Sequence, residues 1–297
     1  MAAVSNKKQD SLIAALLVAP AVIAFLVIFA YPTWRMVAMS FTNAPLIGPG
    51  EWVGFDNYAR QLFSPQFQKA LLNTLYFIVL SVIPGTFLAL FIAMGVNRLT
   101  GRIQMFVLAC FFLPSILPVS VVTQIWTWIA NMQYGIIQNV IGLFTGGRPL
   151  PVLRSPIYFM PSVAIVTIWW TIGFNILLFL AALRSISPDI YEAAALDNAS
   201  RWRVFSKITW PLIWPVTALV LTLQLIAQFK IFAQPYLLGY FAHTPADAQS
   251  VVMSVIYDLA FKQNKGGEGA AVATILFVII LIASVFQYQF LRARGEK

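Results

Sequence analysis

Charge is what this 297-residue sequence has least of: 10% of its residues are Asp, Glu, Lys or Arg, against about 25% in an ordinary soluble domain. With 60% apolar residues and a mean hydropathy of +0.81, no water-soluble fold could bury its apolar surface, which excludes soluble enzymes and binding modules. Histidine and cysteine occur once each, as His243 and Cys110. That excludes an intramolecular disulfide and leaves no ligand set for a metal site built from His and Cys. The phosphate-cradling pattern G-x-x-x-x-G-K-[ST] is absent, and the glycine-rich GGEGAA at 266–271 lacks both its lysine and a preceding strand. Nucleotide hydrolysis is therefore not expected in this chain. No internal repeat, low-complexity tract or linker divides the sequence, so a single membrane domain, 1–297, is the expectation.

What is abundant is long apolar runs. A spanning helix needs about 20 mostly apolar residues, and six runs qualify, near 12–34, 71–95, 104–130, 157–183, 212–239 and 270–291. The first exceeds the apolar core of a secretory signal and lacks a polar cleavage region, so it reads as a retained span. Runs containing Pro114 and Pro118, or Pro211 and Pro215, are expected to start irregularly or kink, because proline removes a backbone donor and clashes with the preceding turn.

Orientation follows from the cations. With the N-terminus inside, eleven fall in short inner segments (Lys7, Lys8, Arg98, Arg102, Arg184, Arg201, Arg203, Lys207, Arg292, Arg294 and Lys297) and seven in longer outer ones (Arg35, Arg60, Lys69, Arg148, Arg154, Lys262 and Lys265). Both termini are thus expected in the cytoplasm, and the net charge of +9 is explained by the inner membrane face rather than by nucleic acid. All ten acids lie outside the six runs. An ion-coupled secondary transporter, the alternative reading, normally carries acids at membrane depth, and an intramembrane hydrolase needs a base or metal there.

Between the fourth and fifth runs, 184–211 concentrates charge. It contains most of YEAAALDNASRWRVFSKITWPLIWP, residues 191–215. Ser187 suits an N-cap, Pro188 the first helical position and Asp189 the first turn, while the alanines that follow favour helix. Asp197, Asn198 and Ser200 supply turn chemistry before RWRVFSKI resumes. Two short helices joined by a turn are expected, either lying on lipid headgroups or gripped by another protein through the small-residue face of Ala193, Ala194 and Ala195.

The same stretch resembles the EAA loop of the membrane subunits of binding-protein-dependent ABC importers, in their carbohydrate branch. The family pattern E-A-A, D-G-A-S, an aromatic and I-x-x-P is matched by Glu192, Ala193, Ala194, Asp197, Ala199, Ser200, Trp202, Phe205, Ile208 and Pro211. Asn198 replaces the usual glycine, and asparagine is the non-glycine residue best suited to a positive φ. Weaker similarity runs through NTLYFIVLSVIPGTFLALFIAMGVNR, IWTWIANMQYGIIQNVI and YDLAFKQNKGGEGAAVATILFVI, whereas YLLGYFAHTPADAQS departs from the family's T-x-G-G-P pattern.

The resemblance implies an all-α permease of the bacterial inner membrane. It also implies a second homologous permease subunit, two ATP-hydrolysing subunits that hold ATP and Mg, and an extracytoplasmic sugar-binding protein. The permease itself would bind no cofactor. Glu192, Ala193, Ala194, Asp197, Asn198, Ser200, Trp202 and Phe205 would form the coupling contact, with Glu192 pairing with a basic residue of an ATPase.

Sugars call for amides, hydroxyls and flat aromatic faces. In the third run Gln124, Thr127, Trp128 and Asn131 recur at helical spacing; the fourth offers Thr167, Thr171 and Asn175, and the fifth Gln224, Gln228 and Gln234. Such residues either line a pathway or hold membrane helices together. Trp126, Trp169 and Trp170 suit interfacial anchoring. Lys230, the one base inside the runs, would either snorkel to the interface or, on one face with Gln234, meet a polar or anionic substrate.

Overall fold

The computed structural model describes residues 7–295. Both termini, and with them Lys297, lie outside the described residues. In chain order the helices are α1 (Lys7–Phe25), α2 (Tyr31–Met39), α3 (Asp56–Leu62), α4 (Pro65–Val96), α5 (Gly101–Ile116), α6 (Val119–Ile129), α7 (Ile136–Thr145), α8 (Phe159–Arg184), α9 (Pro188–Leu196), α10 (Arg201–Val204), α11 (Trp210–Phe229), α12 (Ala233–Ala242), α13 (Ala246–Gln249), α14 (Val252–Tyr257) and α15 (Gly266–Gly295). Five stretches are long and apolar enough to cross a bilayer without a break: Ile13–Met39, Pro65–Val96, Phe159–Arg184, Arg201–Phe229 and Gly266–Gln289. Counted as one broken span, the pair α5 and α6, bent by 103°, brings the number to six. The fold is the expected all-α membrane architecture.

Two runs depart most from the expected bounds. The third expected span, 104–130, is no single rod, because Pro118 forces Leu117 into the extended conformation (φ −71°, ψ 138°) and the chain turns before α6 begins. The indole of Trp170 donates to the freed Leu117 carbonyl at 3.1 Å. The fifth span starts earlier than 212, since α10 continues through a π-helical turn, Phe205–Thr209, into α11. In that turn the Trp210 amide reaches back five residues to the Phe205 carbonyl, a wider ring that relieves the clash Pro211 would cause in an α-helix. The same span ends at Phe229, not 239, and a new helix begins at Ala233 with Pro235 in its first turn, where a missing donor costs nothing.

The described residues divide into two compact units, 7–63 with 256–275, and 64–255 with 276–295. In the first, the Glu268 carboxylate is buried and doubly held, by Arg60 Nη1 at 2.7 Å and by the amide of Gln61 at 2.6 Å. Gly267 donates its amide to the Ala44 carbonyl, and a Cβ there would fall 1.8 Å from the Thr42 oxygen. The GGEGAA segment is thus a close-packed helix start whose missing side chains let two backbones meet. In the second unit α8 is central, burying Phe159, Val163, Ile176 and Phe179 against α4, α5 and α11. Gly173 allows α5 to approach, since a Cβ there would sit 2.4 Å from the Phe111 carbonyl oxygen. Buried Gln224 donates to Thr86 Oγ1 at 2.9 Å, joining α11 to α4 by a side-chain bond. Such bonds in membrane interiors contribute roughly 0.6 to 2 kcal/mol.

Candidate functional site

The loop 184–211 is assembled from local signals. Ser187 Oγ accepts from the Asp189 amide at 3.4 Å and Pro188 opens α9. Its end is a Schellman motif: the Asn198 amide donates to the Ala195 carbonyl at 3.1 Å and the Ala199 amide to Ala194 at 3.0 Å, with Asn198 at φ +50°. Asparagine therefore takes the left-handed position the turn demands. Ser200 then caps the next helix, its Oγ accepting from the Arg203 amide at 3.3 Å. The two expected helices and their turn are present, but the second belongs to the same rod as the following span.

Two tethers fix this loop to the bundle. Tyr191 and Thr209 share a hydroxyl contact of 3.2 Å, which holds α9 against the π turn. At the base, buried Gln104 donates to the Val96 carbonyl at 2.9 Å and accepts from Arg184 Nη2 at 2.5 Å, tying α4, α5 and α8 together. A lone glutamine at the start of an apolar run gave no sequence signal for that role. From the loop into the membrane runs a series of ring contacts: Trp202 with Phe205 at 5.7 Å, Phe205 with Trp210 at 6.2 Å and Trp210 with Trp214 at 5.3 Å, with Phe87 of α4 stacked on Trp210 at 6.2 Å.

The outward face of the loop is apolar where solvent would favour polar groups. Leu196 is 85% exposed and Trp202 73%, beside exposed Ala193 and Ala195, whereas Ala194 is buried. Glu192 and Asp197 are exposed and make no ion pair among the described residues. A groove of about 350 Å³ lies beside them, lined by Ile190, Ala193, Asp197, Arg203 and Lys207. Leu196 was missed in the sequence because a leucine at a helix end reads equally well as core.

The polar residues of the spans do not gather in one place. Asn131 is not on the stripe with Gln124, Thr127 and Trp128, because α6 stops at Ile129 and the chain turns; the Asn131 carbonyl oxygen of the side chain accepts from the Gln133 amide at 2.9 Å. Lys230 and Gln234 likewise do not share a helical face, since Lys230 ends α11 and Gln234 lies in the next helix beyond Phe232. Lys230 is exposed and Gln234 buried. Gln224 is bound to Thr86, and the Thr167 and Thr171 hydroxyls donate to carbonyls of their own helix at 2.8 Å. Asn175 and Gln228 are each 7% exposed and make no side-chain hydrogen bond among the described residues. Gln124 is half-buried and Trp128 exposed. Trp126 and Trp169 meet edge to face at 5.7 Å, a packing contact inside the helical unit.

Thr127 and Asn131 do converge, in a cavity of about 400 Å³ walled by 149–154 and by Phe241 and Ala242. Its wall is clamped by side chains: Gln138 donates to the carbonyls of Ala130 and Leu150 and accepts the Leu150 amide, Ser162 donates to Val152, and Thr244 donates to Leu153.

Comparison with known proteins draws these features together. Residues 85–295 match the family described as binding-protein-dependent transport system inner membrane component. The sulfoquinovosyl glycerol transport system permease protein of Agrobacterium fabrum is 29% identical, over 96% of this chain and 92% of that one. The arabinooligosaccharides transport system permease protein of Bacillus subtilis is 31% identical, over 91% and 85%. A chain of the bacterial alginate ABC transporter, solved in complex with its alginate pentasaccharide-bound periplasmic protein, superposes with a TM-score of 0.83 at 26% identity, over 98% and 97%.

Proposed function

This chain belongs to the family of binding-protein-dependent transport system inner membrane components, and on that premise we propose that it passes a sugar or sugar derivative inward, driven by ATPases on separate chains. It is the membrane-spanning translocation subunit of an ABC importer. The substrate class rests on the relatives, whose names specify a sulfoquinovosyl glycerol, arabinooligosaccharides and an alginate pentasaccharide. All are glycosides.

The observation that carries the coupling role is the outward face of 184–211. Leucine and tryptophan at 85% and 73% exposure, flanked by two carboxylates without an ion pair among the described residues, form a surface that water alone leaves unsatisfied. A protein cleft with an apolar floor and a basic rim would cover it. The loop would sit in such a cleft on an ATP-hydrolysing subunit, with Glu192 facing a base. Closure of paired ATPases would then push on a body that cannot absorb the movement, because α9 is tethered through Tyr191 and Thr209 to a rod continuous from Arg201 to Phe229. Force would enter the bundle along the ring contacts from Trp202 to Phe87.

The remaining partners are a second permease subunit and an extracytoplasmic binding protein. ATP and Mg would be held by the ATPases. The inner-face cations Arg98, Arg102, Arg184, Arg201, Arg203 and Lys207 support cytoplasmic termini. Reconstitution of the complex in proteoliposomes tests the whole reading: binding-protein-dependent glycoside uptake that requires internal or external ATP supports it, and uptake driven by an ion gradient without ATP defeats it.

A further inference from the structure

The cavity of about 400 Å³ behind α6 has a lining that accounts for more than its size. Its polar groups are Thr127, Asn131, Gln133 and Arg154, its apolar surfaces include Pro151 and Phe241, and no acidic residue lines it. Arg154 is exposed, and its Nε donates to the Ala242 carbonyl at 2.9 Å, which holds one edge of the guanidinium while its two terminal amino groups take no acceptor among the described residues. Arg154 forms no ion pair among the described residues. Asn131 uses its side-chain oxygen on the Gln133 amide, which leaves its NH₂ as a further donor.

A preset fork of guanidinium donors with an amide beside it suits a planar or tetrahedral oxyanion, held bidentately. Phe241 and Pro151 offer the apolar faces on which a sugar ring rests. Gln138, Ser162 and Thr244 hold the backbone of Leu150, Val152 and Leu153 in the wall of the cavity. The volume falls within the range of about 300 to 1,000 Å³ usual for small-molecule sites.

We propose that this cavity is an entry site selecting an anionic glycoside, one bearing a carboxylate or sulfonate, with Arg154 binding the anionic group and Asn131 orienting it. The proposal rests on the importer reading above and places the site at the outer mouth under that topology. Arg154 and Lys230 are both exposed, but Arg154 lines the cavity whereas Lys230 ends α11 outside its lining.

The test is binding-protein-dependent uptake by the complete complex in proteoliposomes, with labelled glucuronosyl and sulfoquinovosyl glycosides compared with their neutral glucosyl counterparts. Wild type, Arg154→Gln and Gln133→Glu are assayed at equal complex yield. Gln133 is exposed and its side chain makes no hydrogen bond among the described residues, so its variant tests the cavity's charge even if Arg154→Gln fails to assemble. The expected result is that an anionic probe is carried in preference to its neutral partner, and that each variant lowers the anionic-to-neutral uptake ratio at least tenfold. Equal loss of both probes would assign Arg154 to docking of the binding protein and overturn the proposal, as would an unchanged ratio. ATP-dependent uptake of neutral glycosides alone would overturn the anion site while leaving the importer reading intact, and absence of ATP-dependent uptake of every probe would end both.

Discussion

The loop 184–211 and the segment 130–154 face opposite ends of the second unit and are built on opposite principles. In the loop every stabilising turn is local: Ser187 and Ser200 cap within three residues, and Asn198 closes its Schellman motif within five. Leu196 and Trp202 point outward. In 130–154 the backbone is held by Gln138 from within and from further off by Ser162 and by Thr244, 91 residues from its partner, and the segment walls a cavity. A body that keeps its shape by itself and shows an apolar face is suited to being gripped and moved as a unit. A segment held by the surrounding bundle is suited to keeping a recess open.

The sharpest way to break this contrast is to remove the loop's exposed charges. Glu192→Ala or Asp197→Lys is expected to abolish most ATP-driven uptake while the subunit still inserts, since breaking a charged pair across a partly buried interface costs about 2 to 5 kcal/mol. Uptake and the amount of ATPase recovered with the permease are the readouts, and wild-type values of both would contradict the coupling role. The outer segment is expected to respond differently. Gln138→Ala deletes three bonds of a buried amide, and stranded backbone groups cost about 1 to 3 kcal/mol. Hydrogen exchange at Leu150 and its neighbours should accelerate, whereas exchange in α9 should not.

Smaller effects sharpen the picture of the loop as a lever. Phe205→Ala removes the ring between Trp202 and Trp210, and with aromatic pairs contributing about 0.5 to 1.5 kcal/mol, uptake per ATP hydrolysed should fall several-fold with assembly retained. At Asn198, glycine should be accepted with unchanged thermal stability, while valine at φ +50° should cost about 1 to 2 kcal/mol and lower the melting temperature. The smallest effect is expected at Lys230→Met. This lysine caps α11, where a cation interacts with the helix dipole by about 0.3 to 1 kcal/mol, so uptake should stay within twofold of wild type.

How far the sequence reveals these regions follows from the same division. The capping serine at 187, Pro188 and the left-handed Asn198 are legible because their chemistry is completed by neighbours a few residues away. The ends of the spans are less so. Pro118 breaks the third span where a chain of apolar residues continues on both sides, and Pro211 fails to break the fifth because a π turn absorbs it. Gln104 and Gln224 could not be told apart in the sequence, as each is an amide in an apolar run, and Gln138 lies between two runs. Their roles depend on partners 8 to 138 residues away. The pairing of Arg60 with Glu268 is equally remote, and neither residue carries a mark of the other. Leu196 illustrates the remaining difficulty, because exposure is a property of the packed chain and not of the leucine.

The coupling role requires that 184–211 be gripped by an ATP-hydrolysing subunit. The most direct measurement is photocrosslinking from position 196, with Leu196 replaced by a benzophenone amino acid in the assembled, transporting complex and the adducts identified by mass spectrometry. The predicted result is an adduct with the ATPase subunit that disappears when Asp197→Lys is added. An adduct with lipid alone, in a complex that still imports substrate, would contradict it.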